Sequence, residues 1–144
     1  MKTPYDAALR VRQRELDEVS SAIRSEAGVL GAVESERAQV LAALRREADL
    51  AAADLTLVSP GWQRRMRGER QALSARQVEL EARIAALRTV ATDAYGVLRG
   101  IENAADDYRA EAARSEAAAE QSASDDLSAA AFLRTLRAQR GDAR

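Results

Sequence analysis

Residues 66–112 read MRGERQALSARQVELEARIAALRTVATDAYGVLRGIENAADDYRAEA, and their spacing decides the fold. With Ile84 at heptad position a and Leu87 at d, the a series runs Ile84, Ala91, Leu98, Ala105, Ala112. The d series runs Met66, Leu73, Leu80, Leu87, Ala94, Ile101, Tyr108. An unbroken alternation of three- and four-residue steps marks a helix with one apolar seam. No proline interrupts it, and good helix formers (Ala, Arg, Glu, Gln, Leu) fill most of it. Extended outward, the pattern predicts a helix over about 62–138, which at 1.5 Å per residue is a rod of roughly 110 Å. Such a rod cannot be the inside of a globule, so its seam needs a cover.

The amino-terminal half supplies one. Thr3-Pro4 reads as a helix opening, with Thr as the N-cap, Pro at the first helical position and Asp6 facing the positive end of the helix dipole. From there a second frame places Leu9, Leu16, Ile23, Leu30, Arg37 and Leu44 at a, and Tyr5, Arg12, Val19, Glu26, Val33, Val40 and Glu47 at d. Charged residues at Arg12, Glu26, Arg37 and Glu47 weaken this stripe, as happens where register is specified at a cost in stability. After Leu44 the phase shifts to Ala48, Ala51, Leu55 and Val58, and then Ser59-Pro60-Gly61 gives the strongest turn signal in the chain. The prediction is one all-α domain spanning residues 1–144: an antiparallel coiled-coil hairpin of helix 1 (about 4–57), a turn at 59–61 and a longer helix 2. Reversal sets a positions opposite d positions, so facing residues have numbers that add to 117 or, one heptad over, to 124. The first pairs Leu30 with Leu87, Val33 with Ile84, Leu44 with Leu73 and Glu47 with Arg70. The second leaves Glu26 against Leu98, and the first is preferred.

Composition limits function. The chain has 144 residues and is 47% hydrophobic, but Ala supplies nearly half of that fraction, and aromatics are only 3%, so a compact core is not expected. Cys and His are both absent, which removes the thiolate nucleophile, the commonest general base and the commonest transition-metal ligands. Neither a signal peptide nor a membrane span is legible, and a net charge of -1 gives no global attraction to nucleic acid. Adjacent acids such as Asp106-Asp107 and Asp125-Asp126 point to different faces of a helix, and no Gly-rich phosphate loop is present. No enzyme and no cofactor are expected.

Two surfaces carry binding signals instead. Beside the turn, Trp62, Arg64, Arg65, Met66, Arg67 and Arg70 cluster with Glu69 as the one acid among residues 62–76. Trp and Arg are enriched at binding hot spots, although Trp62 and Met66 could equally staple the hairpin end. Phosphate contacts with a stacking ring make nucleic acid a further, thinner option. At the other surface, residues 113–144 overhang the first helix. Their seam decays to Ser115, Ala119, Ser122 and Asp126 and recovers at Ala129, Leu133 and Leu136 beside Phe132. Eight acids and two arginines fall within residues 102–126, whereas Arg134, Arg137, Arg140 and Arg144 close the chain. The overhang is either a solvated, frayed helix end or a docking segment. Gly28, Gly31, Gly96 and Gly100 take outward positions at nearly one level, as drift, as a flexible level or as a close-approach surface.

The opening Met1-Lys2-Thr3-Pro4 with Leu9 and Arg12, the break followed by Trp62, and a longer second helix carrying Glu120-Gln121 and Asp125-Asp126-Leu127 together resemble the FliJ family of flagellar export proteins. The resemblance implies a cytoplasmic, non-catalytic antiparallel coiled coil, similar to a rotary-ATPase stalk. Such a protein escorts type III export by linking the export ATPase ring to the membrane export gate, and is peripheral to the membrane only through its partners. By position, Trp62, Met66 and Leu73 fall on the gate side, and Phe132, Leu133 and Leu136 on the ATPase side. The alternative from the residues alone is a coiled-coil scaffold or adaptor that self-associates through its overhang.

Overall fold

The computed structural model describes residues 2–57 and 59–142. Met1, Val58, Ala143 and Arg144, read above as parts of the opening, the turn and the basic end, lie outside the described residues. The architecture is all-α: helix α1 (Asp6–Ala53) of 48 residues, a 3-10 turn (Leu55–Leu57), and the longer helix α2 (Pro60–Asp142) of 83 residues. The chain divides into two units, one formed by Val11–Leu98 and the other by Met1–Arg10 with Arg99–Arg144.

Within Val11–Leu98, α1 and α2 pair as an antiparallel coiled-coil hairpin. Its core is a narrow seam: Val33, Val40, Leu80, Ile84 and Leu98 are buried, while Leu16, Val19, Ile23, Leu30, Leu44, Leu73, Leu87, Ala91 and Ala94 are half-buried. All sit at the a and d positions read from the sequence. Two helices can cover only one stripe of each other, so the rest of both surfaces stays wet. Arg37 in the seam is half-buried and donates from Nη1 to Gln77 Oε1 at 2.5 Å, and Gln77 Nε2 donates in turn to Glu81 at 2.9 Å. That contact excludes the 124 register. In the 117 register Arg37 faces Leu80, within one turn of Gln77, whereas the 124 register sets it opposite Leu87, ten residues and about 15 Å from Gln77.

The turn differs from its sequence expectation. Helix α1 stops at Ala53 rather than near 57, because Asp54 turns the chain: its Oδ1 accepts from Thr56 N–H (2.9 Å) and from Thr56 Oγ1 (2.7 Å). Leu57 N–H then donates to Asp54 O at 3.1 Å. The hydrogen bonds from Thr56 hold the Asp54 carboxyl below its ordinary pKa. Pro60 and Gly61 do not form the bend. Pro60 opens α2 and Ser59 precedes it as the N-cap, its carbonyl accepting from Gln63 N–H at 3.0 Å. Proline's fixed φ and missing N–H suit a first helical turn as well as a bend, and short-range sequence does not separate the two uses. Glu47, expected beside Arg70, reaches across the connection to accept from Ser59 N–H at 3.3 Å.

The other unit is built on the chain's opening. Helix α1 begins at Asp6 and not at Pro4: its first bond runs from Leu9 N–H to Tyr5 O (2.9 Å), so Thr3 lies in the turn before the helix, its carbonyl accepting from Asp6 N–H (3.3 Å), its hydroxyl donating to Asp6 Oδ1 (2.5 Å) and its N–H to Asp6 Oδ2 (3.0 Å). Both bonds to the Asp6 carboxylate run from Thr3 and tie the chain's opening to the first turn of α1. Those hydrogen bonds from Thr3, and more weakly the charge of Arg109, lower the Asp6 pKa. Tyr5 meets Tyr108 edge-on with ring centroids 6.3 Å apart, and Arg109 bridges Asp106 (2.7 Å) and Asp6 (3.8 Å). Ala105 is fully buried here. A residue this small at the seam lets two backbones approach closely.

Candidate binding surfaces

The tip surface belongs to the Val11–Leu98 unit. Its α2 residues follow directly from the Ser59 cap, so Trp62 and Met66, four apart, share one face and are both half-buried, as is Leu73 two turns on. Arg64, Arg65, Arg67 and Arg70 are exposed, and among the described residues none of them forms an ion pair. Four unneutralised guanidiniums in two helical turns make this a local positive field on a nearly neutral chain.

The sequence-based site omits the first arm's share of this surface. Leu41, Leu44, Arg45 and Ala48 of α1 join Gln63, Arg67 and Arg70 of α2 around a shallow groove of about 300 Å³. Leu41 and Leu44 form an apolar floor, and Arg45, Arg67 and Arg70 a cationic rim. Arg45 follows the seam residue Leu44, and only pairing of the arms at matched height shows that it shares a groove with Arg67 and Arg70 of the other arm. The groove suits an amphipathic partner with acidic residues. It does not converge an acid, a base and a nucleophile on one point, as bond-making chemistry needs.

The second surface lies in the unit containing residues 99–144. From Ala113 to Thr135 every residue is exposed, including Leu127 at 69%, Phe132 at 64% and Leu133 at 51%, and Leu136 is half-buried. Phe132, Leu133 and Leu136 share a stripe with Ala129, so the structure brings the three predicted residues onto one helical flank. Single exposed apolar side chains such as Val78 are ordinary, but a contiguous apolar stripe is a feature of interaction sites.

Among the described residues no group of three or more His, Cys, Asp or Glu could hold a metal ion. No helix among them is long and apolar enough to cross a membrane. Comparison with known proteins finds no matching family model, no matching curated protein and no matching solved structure. The chain is therefore placed by its own geometry, as a two-helix coiled coil with an arginine-rich tip and an exposed apolar segment on its longer helix.

Proposed function

We propose that this chain is a non-catalytic coiled-coil stalk or escort of flagellar type III protein export, acting in the cytoplasm to link the export ATPase ring to the export gate. The single observation carrying a linking role is that α2 continues as an exposed helix through residues 113–135 with its apolar side chains uncovered. A helix of this length costs conformational entropy, which a partner's surface offsets when it covers the stripe. The tip offers a second, chemically different surface: unpaired arginines beside a half-buried Trp62. The assignment to flagellar export comes from the sequence resemblance, with Trp62, Arg64, Arg65, Met66 and Leu73 turned to the gate and Phe132, Leu133 and Leu136 to the ATPase.

The test is deletion of residues 121–144 from the whole chain. Binding to a type III export ATPase in co-purification is expected to be lost, while the melting midpoint by circular dichroism barely moves. Retained ATPase binding after deletion would overturn the proposal. A large drop in the midpoint would show that the segment packs within its own chain and is no docking element. A salt-dependent mobility shift with nucleic acid would favour a different role for the tip arginines.

A further inference from the structure

We infer that the free protein pairs with a second copy of itself through the last turns of α2, antiparallel and with a two-fold axis at Leu133. Asp126, Ala129, Leu133, Leu136 and Arg140 lie on one stripe of α2 in steps of three and four residues. Asp126 precedes Leu133 by seven residues and Arg140 follows it by seven. Two such helices laid antiparallel about Leu133 bring Asp126 of each copy level with Arg140 of the other, twice over. Ala129 then comes level with Leu136 within one residue, so small meets large on both sides of the axis. Both Asp126 and Arg140 are exposed, and among the described residues neither forms an ion pair.

The charge order selects the orientation. A parallel pair would set Asp126 against Asp126 and Arg140 against Arg140, whereas the antiparallel pair replaces both repulsions with attractions. Flanking residues follow the same sense, with Glu116, Glu120 and Asp125 before the apolar stripe and Arg137 after it. Antiparallel helix dipoles add to the preference. The contact is isologous, so it closes at two copies and does not propagate into a fibre. Phe132 and Leu133, both more than half exposed, lie at its centre, where burial is most complete.

This inference does not rest on the export role, because it concerns the purified chain without any partner. A second copy and an ATPase would compete for the same stripe, so self-pairing would hold the segment in reserve until the partner is present.

Sedimentation equilibrium of the full chain tests it over a concentration series. The wild type is expected to shift from monomer to dimer. Asp126→Arg and Arg140→Asp should each weaken the dimer about tenfold, since two attractions become two repulsions. An equimolar mixture of the two single variants should recover the dimer. In the mixed pair one copy carries arginine at both positions and the other carries aspartate at both, so each contact again joins opposite charges. The double variant should recover the dimer alone, and circular dichroism should show unchanged helix content throughout. A wild type that stays monomeric at every concentration overturns the proposal. So does a dimer that neither single variant weakens, or single variants that the mixture fails to rescue.

Discussion

Five glycines in the interiors of the two helices offer a measurement that separates backbone cost from partner binding. A methyl group built at Gly28, Gly31, Gly68, Gly96 or Gly100 meets no heavy atom within 4 Å, and among the described residues no glycine has a positive φ. No contact among the described residues requires these positions to lack a Cβ. Alanine should then return the helix-propensity difference of about 0.8–1 kcal/mol per site. For Gly28→Ala, Gly31→Ala and Gly96→Ala together, all in the Val11–Leu98 unit, the gain should approach 2.5–3 kcal/mol if the sites act independently. At about 2–4 °C per kcal/mol for a chain of this size, the melting midpoint should rise by roughly 6–10 °C. Urea unfolding followed by circular dichroism measures the free energy directly, and an unchanged m value would show that parent and variant expose the same surface on unfolding, so that the gain is the backbone-entropy difference between glycine and alanine. A triple variant no more stable than the parent would refute the argument, since it would mean that these turns are not continuously helical in solution. Should the variant be stabilised yet bind a partner less well, the glycines serve close approach, and their cost is retained for binding.

Cysteines at Leu30 and Leu87 should oxidise to an intramolecular disulfide, because the 117 register read from the heptads places them opposite each other within the roughly 7 Å a disulfide spans. Preferential cross-linking of a Leu44/Leu80 cysteine pair would instead mean that the hairpin is shifted by a heptad. Trp62→Ala should weaken gate binding by about 2 kcal/mol or more in surface kinetics, while alanine at Arg64 and Arg65 should mainly slow association and flatten its salt dependence. If Trp62→Ala lowers the melting midpoint and leaves binding intact, the ring is a staple of the hairpin end and the tip assignment fails. Asp6→Asn should destabilise the chain start at neutral pH. Since the folded-state pKa of Asp6 is lowered, its contribution is complete above its unfolded value near 3.8 and fades as pH falls through the folded value. The difference in melting midpoint between parent and Asp6→Asn should therefore be constant well above pH 3.8 and narrow as pH falls below it. A difference that persists at low pH would rule out the hydrogen bonds from Thr3 to the Asp6 carboxylate as its origin.

The heptad positions and the greater length of the second helix were legible in the sequence, because the pattern that gives them repeats within a turn or two. Period alone assigned Val33, Val40, Leu80, Ile84 and Leu98 to the seam, and all five are buried. Local chemistry likewise joined Thr3 to Asp6 at the chain's opening, although α1 begins at Asp6 and not at Pro4. The stripe of Phe132, Leu133 and Leu136 could be read in the same way, since an apolar recovery beyond the end of any partner is visible in residue numbers alone. What only the tertiary structure decided depends on distance along the chain. Two registers one heptad apart bury nearly the same stripe, and a single hydrogen bond between Arg37 and Gln77, forty residues apart, distinguishes them. The bend moved to Asp54 because its side chain captures Thr56 and because Glu47 reaches Ser59 from twelve residues away, leaving Pro60 to begin a helix instead of a turn. Arg45 joined Arg67 and Arg70 for the same reason: a groove is made by two strands of chain, and neither arm alone records which residues of the other will stand across from it.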